Sequence, residues 1–298
     1  MESEQRRQVR RFSRVVTARV GVLGEGYLGR ARAYGESRVL WEIGVEGRDV
    51  RELRERLGLD SGYMSRLLRG LGAAGLVVVE PRAGDRRVRT VRLTEAGRVE
   101  REALEERSEE FAGSLLAPLN EGQRERLVAA MGEVERLLTA GLVTLDEVDP
   151  EHPDARACLL AYFAELGEAF ETGFDPARSL LPDAGGLRPP HGVFLVARLY
   201  GEAVGCAGLK LPVGRPAEVK RMWVAPGARR LGLGRRFLAE LEARAARAGH
   251  DRLRLDTNKA LGAAIGLYHA SGFREVPAFN DEPYAHHWFE KDVAAPRP

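Results

Sequence analysis

The sequence predicts a two-domain protein: a mainly α domain with a helix-turn-helix and one β-hairpin, followed by an α/β domain. Three observations predict it. The chain has 298 residues, at the size where a single core stops growing and chains split into domains. Up to about residue 140 the apolar residues recur at helical spacing, broken by one pair of β-prone runs. Beyond about residue 152, β-prone runs interleave with helical ones, the order that builds an α/β layer. Between them AGLVTLDEVDPEHP is acidic, proline-bearing and weakly periodic, so the expected division is residues 1–143, a linker over 144–153, and residues 154–298.

In the first domain, RRQVRRFSRVVTARVGVL and SRVLWEIG have helical periodicity. DVRELRERLGL then sets Val50, Leu53 and Leu57 on one face, and SGYMSRLLRGLGAAG sets Met64, Leu67, Leu68 and Leu71 on another. Gly58 to Ser61 break the two, with Asp60 or Ser61 available as a cap. A helix, a short glycine-containing turn and a second helix make a helix-turn-helix. LVVVE and VRTVRLT come next as β-prone runs joined by PRAGDRR, where Gly84 and Asp85 supply the bend. Two long helical segments, GRVEREALEERSEEF and EGQRERLVAAMGEVERLLTAGL, come after, separated at Pro118 and Asn120.

The net charge is only +2, so any attraction to nucleic acid must come from a local patch. Between Ser61 and Leu93 such a patch exists: arginines 66, 69, 82, 86, 87, 89 and 92 against Glu80 and Asp85. The charges fall on the second helix and the hairpin, where folding does not require them. Ser61, Tyr63, Ser65, Arg66 and Arg69 sit off the apolar stripe and are candidates for base edges or phosphates of double-stranded DNA. Arg86 and Arg87 at the hairpin tip are candidates for a narrow minor groove. A solvated charged face is the alternative.

This half, over roughly residues 5–140, resembles the MarR family of winged-helix regulators, most specifically in Gly84-Asp85-Arg86-Arg87 and Leu93-Thr94-Glu95-Ala96-Gly97. The resemblance implies a winged helix-turn-helix whose hairpin is the wing. It also implies a second helix that enters the major groove, and a homodimer through the terminal helices.

In the second half a helix, ARACLLAYFAELGEAF, precedes the loop-like FDPARSLLPDAGGLRPPHG. GVFLVARLYGEAVGCAGLKL reads as two strands around Tyr200-Gly201-Glu202, and AEVKRMWVAP as another. The most informative stretch of the chain comes directly after that strand: Arg229-x-x-Gly232-x-Gly234, opening an amphipathic helix. Helix N-termini carry N–H groups without intrahelical partners and the positive end of the macrodipole. Gly232 and Gly234 remove side chains that would block approach, and Arg229, Arg230, Arg235 and Arg236 add charge, so Arg229–Arg235 (with Leu231 and Leu233 between) form a pyrophosphate cradle. Tight strand–helix packing is the plainer explanation of the glycines. DRLRLDT is a further strand, and ALGAAIGLYHASGF ends in a helix carrying Tyr268 before Ser271-Gly272-Phe273.

Together these motifs resemble the GNAT superfamily of acetyl-CoA-dependent N-acetyltransferases over about residues 152–293. The resemblance implies an α/β GNAT acyltransferase fold with a central mixed sheet. It also implies a CoA pyrophosphate at the Arg229-x-x-Gly232-x-Gly234 turn, and Tyr268, in Leu267-Tyr268-His269-Ala270-Ser271-Gly272-Phe273, as the acid that protonates the leaving thiolate. An amine attacking a thioester must lose a proton, and the carbonyl must be polarised. Glu218 on the preceding strand is the candidate base, and the backbone N–H near Trp223 or Val224 the candidate oxyanion donor. The family often carries asparagine seven residues before the tyrosine; here Leu261 stands there, and Asn258 is the candidate substitute.

Cys158 and Cys206 lie in apolar contexts and read as buried free thiols. His286 and His287 are strand neighbours pointing to opposite faces, a poor metal pair, and no metal is expected. Asn280, Asp281 and Glu282 precede them in a loop near the expected acceptor site; they are candidates to hold a cationic amine, with surface acids the default reading. The N-terminus lacks an apolar core segment, and no run nears the roughly 18 apolar residues that span a bilayer. A cytoplasmic protein without membrane attachment is expected. Taken whole, the chain resembles a MarR–GNAT fusion: a regulator that also acetylates a primary amine. Two alternatives stay open, an acetyltransferase whose first half only dimerises and a regulator that senses acetyl-CoA without turnover.

Overall fold

The chain divides into two compact units, Met1–Ala129 and Ala130–Pro298. The computed structural model describes residues 2–20, 28, 32–82, 85–179 and 184–293. The first unit holds α1 (Glu2–Val20), α2 (Tyr34–Ile43), β1 (Arg48–Asp49), α3 (Val50–Leu57), α4 (Ser61–Ala73), β2 (Val77–Arg82), β3 (Asp85–Leu93) and α5 (Glu95–Leu116). The division falls within α6 (Glu121–Ala140).

The helix-turn-helix is fixed by its caps. Asp49 accepts from the Arg51 and Glu52 amides at 2.7 and 3.1 Å and starts α3. Gly58 ends α3 in the left-handed region, φ 62°, at the cost that only glycine avoids. Of the two candidate caps for α4 it is Asp60 that accepts from Tyr63 N, at 2.8 Å. Leu53, Met64, Leu67, Leu68 and Leu71 are buried in one core with Val39, Leu40 and Ile43 of α2, while Val50 and Leu57 pack at its edge. β2 and β3 form the expected antiparallel hairpin, Val77 opposite Leu93, and the two-residue β1 adds to the far side of β3. Gly84 lies outside the described residues.

Thr94 and Gly97 close this core. The Thr94 hydroxyl donates to Gly75 O at 2.6 Å and accepts from Gly97 N at 3.0 Å, capping α5. A Cβ on Gly97 would stand 2.0 Å from Leu76 O, so α5 can approach β2 this closely only with glycine there.

The second unit holds β4 (Thr144–Glu147), α7 (Pro153–Ala169), β5 (Gly192–Leu199), β6 (Glu202–Lys210), β7 (Ala217–Val224), α8 (Leu233–Arg247), β8 (Arg252–Thr257), α9 (Gly262–Ala270), β9 (Arg274–Val276) and β10 (His287–Asp292). The strands make one mixed sheet of seven in the order β4-β5-β6-β7-β8-β10-β9. Among the described residues, only β7 and β8 run parallel. Alternation along β5 sorts two cores: Val193, Leu195 and Ala197 join Phe237 and Leu241 of α8 on one face, and Phe194 and Val196 join Cys158 and Leu159 of α7 on the other. Both cysteines are buried, as expected.

The segment expected as a linker is part of this unit. Thr144 to Glu147 pair with Arg198 to Leu195 as the edge strand of the sheet. Asp149 accepts from Arg188 Nε and Nη2, each at 2.8 Å. Charged side chains and short length are what an edge strand tolerates, and that composition disguised the strand as linker.

Candidate active site and nucleic-acid interface

The parallel pairing of β7 with β8 is confined to Ala217 opposite Leu253 and Glu218 opposite Arg254. On its other side β7 stays paired to β6 as far as Val224, through an irregularity between Cys206 and Gly208. Across from it Arg221 adopts φ 56°. Such a bulge bends a strand, and from Val219 onward β7 leaves β8. A split opens in the sheet, and the β8-facing edge of Trp223 and Val224 has no strand partner.

The chain then turns through Pro226–Ala228 into Arg229 and Arg230, the latter at φ 66°. Gly232 stands as N-cap of α8 at φ 76°, where no side chain takes up the first amides. Arg230 and Arg235 are exposed. The N–H groups of Leu233, Gly234 and Arg235 open α8 with the positive end of its dipole, so the arrangement can hold an anion.

Two arginines of the motif are otherwise engaged. Arg229 donates from Nε to Val224 O at 3.1 Å and ion-pairs with Glu165 of α7. The Trp223 indole reaches the same carboxylate at 2.8 Å. Arg236 donates to Ala140 O and Val143 O at 2.9 and 2.8 Å. The glycines also differ in their reasons: Gly232 meets a conformational demand, whereas a Cβ on Gly234 would lie 2.6 Å from Leu267 Cδ2 of α9.

Tyr268 of α9 is buried against Phe273 and Phe289, ring centroids 6.0 and 5.6 Å apart. Burial, with the Asp256 charge adding to it, pushes its hydroxyl well above the ordinary tyrosine range. It therefore holds its proton throughout neutral pH. Glu218 lies at the closed end of the split. Its carboxylate accepts from Arg254 at 2.6 Å and has Lys220 at 3.8 Å. Burial works to raise its pKa, but the Arg254 hydrogen bond and the charges of Lys220, Arg254 and Lys210 outweigh it, so it titrates below the usual carboxylate range. Asn258 turns its amide to the protein itself, donating to Tyr284 O at 2.7 Å and accepting from Ala260 N at 2.9 Å. As placed, it ties the β8–α9 loop to the 280s loop.

Beside the split lies a cavity of about 60 Å³, walled by Tyr162, Phe170, Phe174 and Tyr284, with Lys220, Asp256 and Glu282 contributing charge. Lys220 ion-pairs with Asp256, which also accepts from Asn280 at 3.1 Å. Glu282 is buried rather than on the surface, accepting from Ser179 Oγ at 2.9 Å and Tyr284 N at 3.3 Å.

In the first unit, Ser61, Tyr63, Ser65, Arg66 and Arg69 all emerge exposed on α4, opposite its buried stripe. The Arg66 guanidinium lies over the Tyr63 ring at 5.5 Å. Arg82, Arg89 and Arg92 are exposed on the hairpin. Arg86 and Arg87 belong to β3, but their side chains lie outside the described residues.

Residues 29–88 match the MarR family and residues 156–273 the acetyltransferase (GNAT) family. The chain carries a MarR-family domain followed by a GNAT-family acetyltransferase domain. It is 39% identical over 101 residues to an uncharacterized N-acetyltransferase of Schizosaccharomyces pombe, covering 33% of this chain and 58% of that protein. It is 40% identical over 99 residues to the IAA acetyltransferase of Azospirillum brasilense, covering 33% of this chain and 63% of that protein. The match thus spans less than two thirds of either relative. A solved GNAT-family acetyltransferase of Staphylococcus aureus covers 51% of this chain and 99% of its own, at 18% identity and a TM-score of 0.44.

Within the GNAT domain, sequence reasoning missed Glu165, the Lys220–Asp256 pair and the burial of Glu282. Glu165 is one of several acids on α7, and nothing in its spacing marks it. Among the described residues no group of three or more His, Cys, Asp or Glu could hold a metal; His287 instead contacts Glu275 at 2.6 Å. No described helix is long and apolar enough to cross a membrane.

Proposed function

We propose that the GNAT domain transfers acetyl from acetyl-CoA to a primary amine and that the MarR domain binds double-stranded DNA as a homodimer. The observation that carries the first part is the split between β7 and β8, which leads to the bare N-terminus of α8 with Tyr268 behind it. The fit for CoA rests on Gly232 without a side chain, the α8 amides, and Arg230 and Arg235 exposed beside them. Bound there, acetyl-CoA would supply an acetyl group activated as a thioester.

The chain's own residues divide the remaining work. The freed edge of β7 at Trp223 and Val224 offers backbone N–H to a developing oxyanion. Tyr268, held protonated by burial, is suited to give its proton to a departing thiolate. Arg229, fastened to Glu165, fixes the loop that shapes the cradle more than it supplies free charge. Glu218 is available as a proton acceptor only through its ion cluster, direct or by way of water. That cluster is the observation favouring a second reading, a regulator that binds acetyl-CoA without turnover.

Support for the DNA-binding part is the set of exposed α4 residues with the arginines of the hairpin. Support for the dimer is the apolar stripe of α1, where Val9, Phe12 and Val16 are 64%, 44% and 40% exposed at i, i+3, i+7 spacing. Thiol release from acetyl-CoA across an amine panel tests transfer. Release with at least one amine is expected; binding of acetyl-CoA by calorimetry with no release would establish the second reading instead. Gly234→Glu, which places a carboxylate in the cradle and against Leu267, is expected to abolish that binding.

A further inference from the structure

The sheet carries two carboxylates at the split, Glu218 on β7 and Asp256 on β8, and of the two it is Asp256 that opens into the cavity beside it. We propose that Asp256 is the base of the reaction, its Oδ1 taking the proton that the acceptor nitrogen sheds as the bond to the acetyl carbon forms. This rests on the acetyl-transfer reading, for which it supplies the base.

Placement comes first. The β7–β8 pairing ends with Glu218 opposite Arg254. Asp256 follows two positions along β8, opposite Trp288 of β10, where β7 has left. Alternation sends Leu253 and Leu255 into the core with Phe237 and Leu241 of α8. It turns Arg254 and Asp256 to the other face. The cavity opens on that face, where Asp256 shares the wall with Lys220 of β7 and Tyr162 of α7. At about 60 Å³ it is far smaller than the roughly 300–1,000 Å³ of a site for a whole drug-sized ligand. It has room for the amine end of an acceptor.

Availability comes second. The Asp256 side chain is only 10% exposed. Lys220 Nζ ion-pairs with its Oδ2, and Asn280 Nδ2 donates to the same oxygen at 3.1 Å. Asn280 is itself oriented, its Oδ1 accepting from Trp288 Nε1 at 2.7 Å. Among the described residues no hydrogen bond or ion pair falls on Asp256 Oδ1, and that oxygen is not among the sealed polar atoms. A carboxylate held by one oxygen and open at the other can meet a nitrogen at hydrogen-bond distance, as a general base must. Glu218 has no such oxygen facing the cavity: Arg254 donates to Oε1 at 2.6 Å, Lys220 stands 3.8 Å from Oε2, and the residue is absent from the lining. Glu282, the other acid of the cavity, has hydrogen bonds on both oxygens, from Ser179 Oγ and Tyr284 N.

The acid approaches from the opposite face. Tyr268 is buried in the core that holds Leu255 and Phe289, and its hydroxyl feels the Asp256 charge on top of burial. As the amine's lone pair bonds to the acetyl carbon and the C–S bond breaks, Asp256 Oδ1 takes a proton from nitrogen and Tyr268 gives one to sulfur. Asp256 then passes its proton to the tyrosinate, directly or through water. Both groups are restored, and the products are an amide and a thiol with no net gain or loss of protons.

The test measures thiol release from acetyl-CoA by the full-length protein with pentylamine, putrescine, phenethylamine and methionine, and continues with the amine released fastest. Asp256→Asn, which keeps an oxygen for Lys220, is expected to lower kcat by about 100-fold or more, the worth of a general base. Acetyl-CoA affinity by calorimetry is expected to stay within about 2-fold, and Glu218→Gln to keep kcat within about 3-fold, since neither change removes the base. Asp256→Glu keeps the charge that the buried Lys220 faces and moves the carboxylate by one methylene. It is expected to lower kcat about 10-fold, well above Asp256→Asn, and it decides the matter if Asp256→Asn fails to bind acetyl-CoA. A parent-like kcat in Asp256→Asn, or in Asp256→Glu where that variant decides, overturns the assignment, as does a loss in Glu218→Gln as deep as that in Asp256→Asn. The two claims fail differently. Release by the parent that survives in Asp256→Asn refutes the base and leaves acetyl transfer standing, whereas acetyl-CoA binding without release for any of the four amines refutes transfer and the base with it.

Discussion

At the scale of single residues, two titratable groups near the split have been pushed in opposite directions, and each makes a prediction. Burial raises Tyr268, so it stays protonated well past neutrality. Tyr268→Phe keeps the ring between Phe273 and Phe289 and removes only the proton. It is expected to lower kcat by roughly 100-fold, at the low end for a general acid, with CoA affinity retained by calorimetry. A rate within about twofold of the parent would reject Tyr268 as the acid. Glu218 is displaced downward by Arg254 and Lys220. A carboxylate whose folded pKa is depressed contributes stability that is fully present above its unfolded pKa, about 4.3, and is lost as pH falls through the lower folded value. Chemical denaturation across pH 3 to 7 is therefore expected to show a loss of stability on the acid side that Glu218→Gln makes smaller. At pH 7 that variant is expected to be about 1.5–3 kcal/mol less stable, the worth of a hydrogen bond to a charged group. If Glu218 also takes the amine's proton, Glu218→Gln lowers kcat and changes the pH–rate profile. A profile that keeps its shape assigns the residue to pairing alone.

At the scale of elements, legibility depends on how local the cause is. The helix-turn-helix was readable because its signals are spaced a few residues apart: Leu53 on one stripe, Met64 to Leu71 on the next, Gly58 and Asp60 between them. The hairpin and the strand–glycine–helix order of the cradle were readable for the same reason. Long-range pairings were not. Nothing in the spacing of Glu165 announces Trp223 and Arg229 as its partners, 58 and 64 positions away. The acidic run at Thr144 to Glu147 looks like linker until β5 is beside it. Glu282 reads as a surface acid until Ser179, 103 positions before it, is seen to donate to it. Glycines fall between these cases, since the sequence shows where they stand but not why. Gly97 is the sharpest instance. Gly97→Ala would set a methyl 2.0 Å from the Leu76 carbonyl, a backbone atom that cannot rotate away. We expect a loss of about 1–3 kcal/mol, the ordinary cost of overpacking, seen as a lower denaturant midpoint. Gly113→Ala, where the added carbon meets nothing within 4 Å, is the control and is expected to be neutral or slightly stabilising as helix propensity favours alanine.

At the scale of the whole molecule, the exposed apolar stripes ask for a second copy of the chain. Besides Val9, Phe12 and Val16 of α1, Val128, Met131 and Leu138 are 55%, 51% and 67% exposed on α6, spaced so that they too share one side of a helix. A helix with an uncovered apolar stripe is stable in water when something covers it. Phe12→Glu with Val16→Glu places two charges in the stripe of α1, and light scattering coupled to gel filtration is expected to report a dimer for the parent and a monomer for this variant. DNA binding should weaken with it, because a helix-turn-helix dimer reads two half-sites and a monomer only one. Salt separates the contributions. Each phosphate neutralised steepens the fall of log affinity with log salt by about 0.9. Arg66→Ala or Arg69→Ala in the dimer is then expected to flatten that slope by about 2, one contact from each protomer, if the side chain meets phosphate. The monomeric double variant is expected to lose about half of the parent slope. A parent protein whose affinity for DNA of its own promoter is unchanged between 50 and 200 mM salt would remove the arginines of α4 and the hairpin from any role at the duplex, and the first domain would then be a dimerisation scaffold alone.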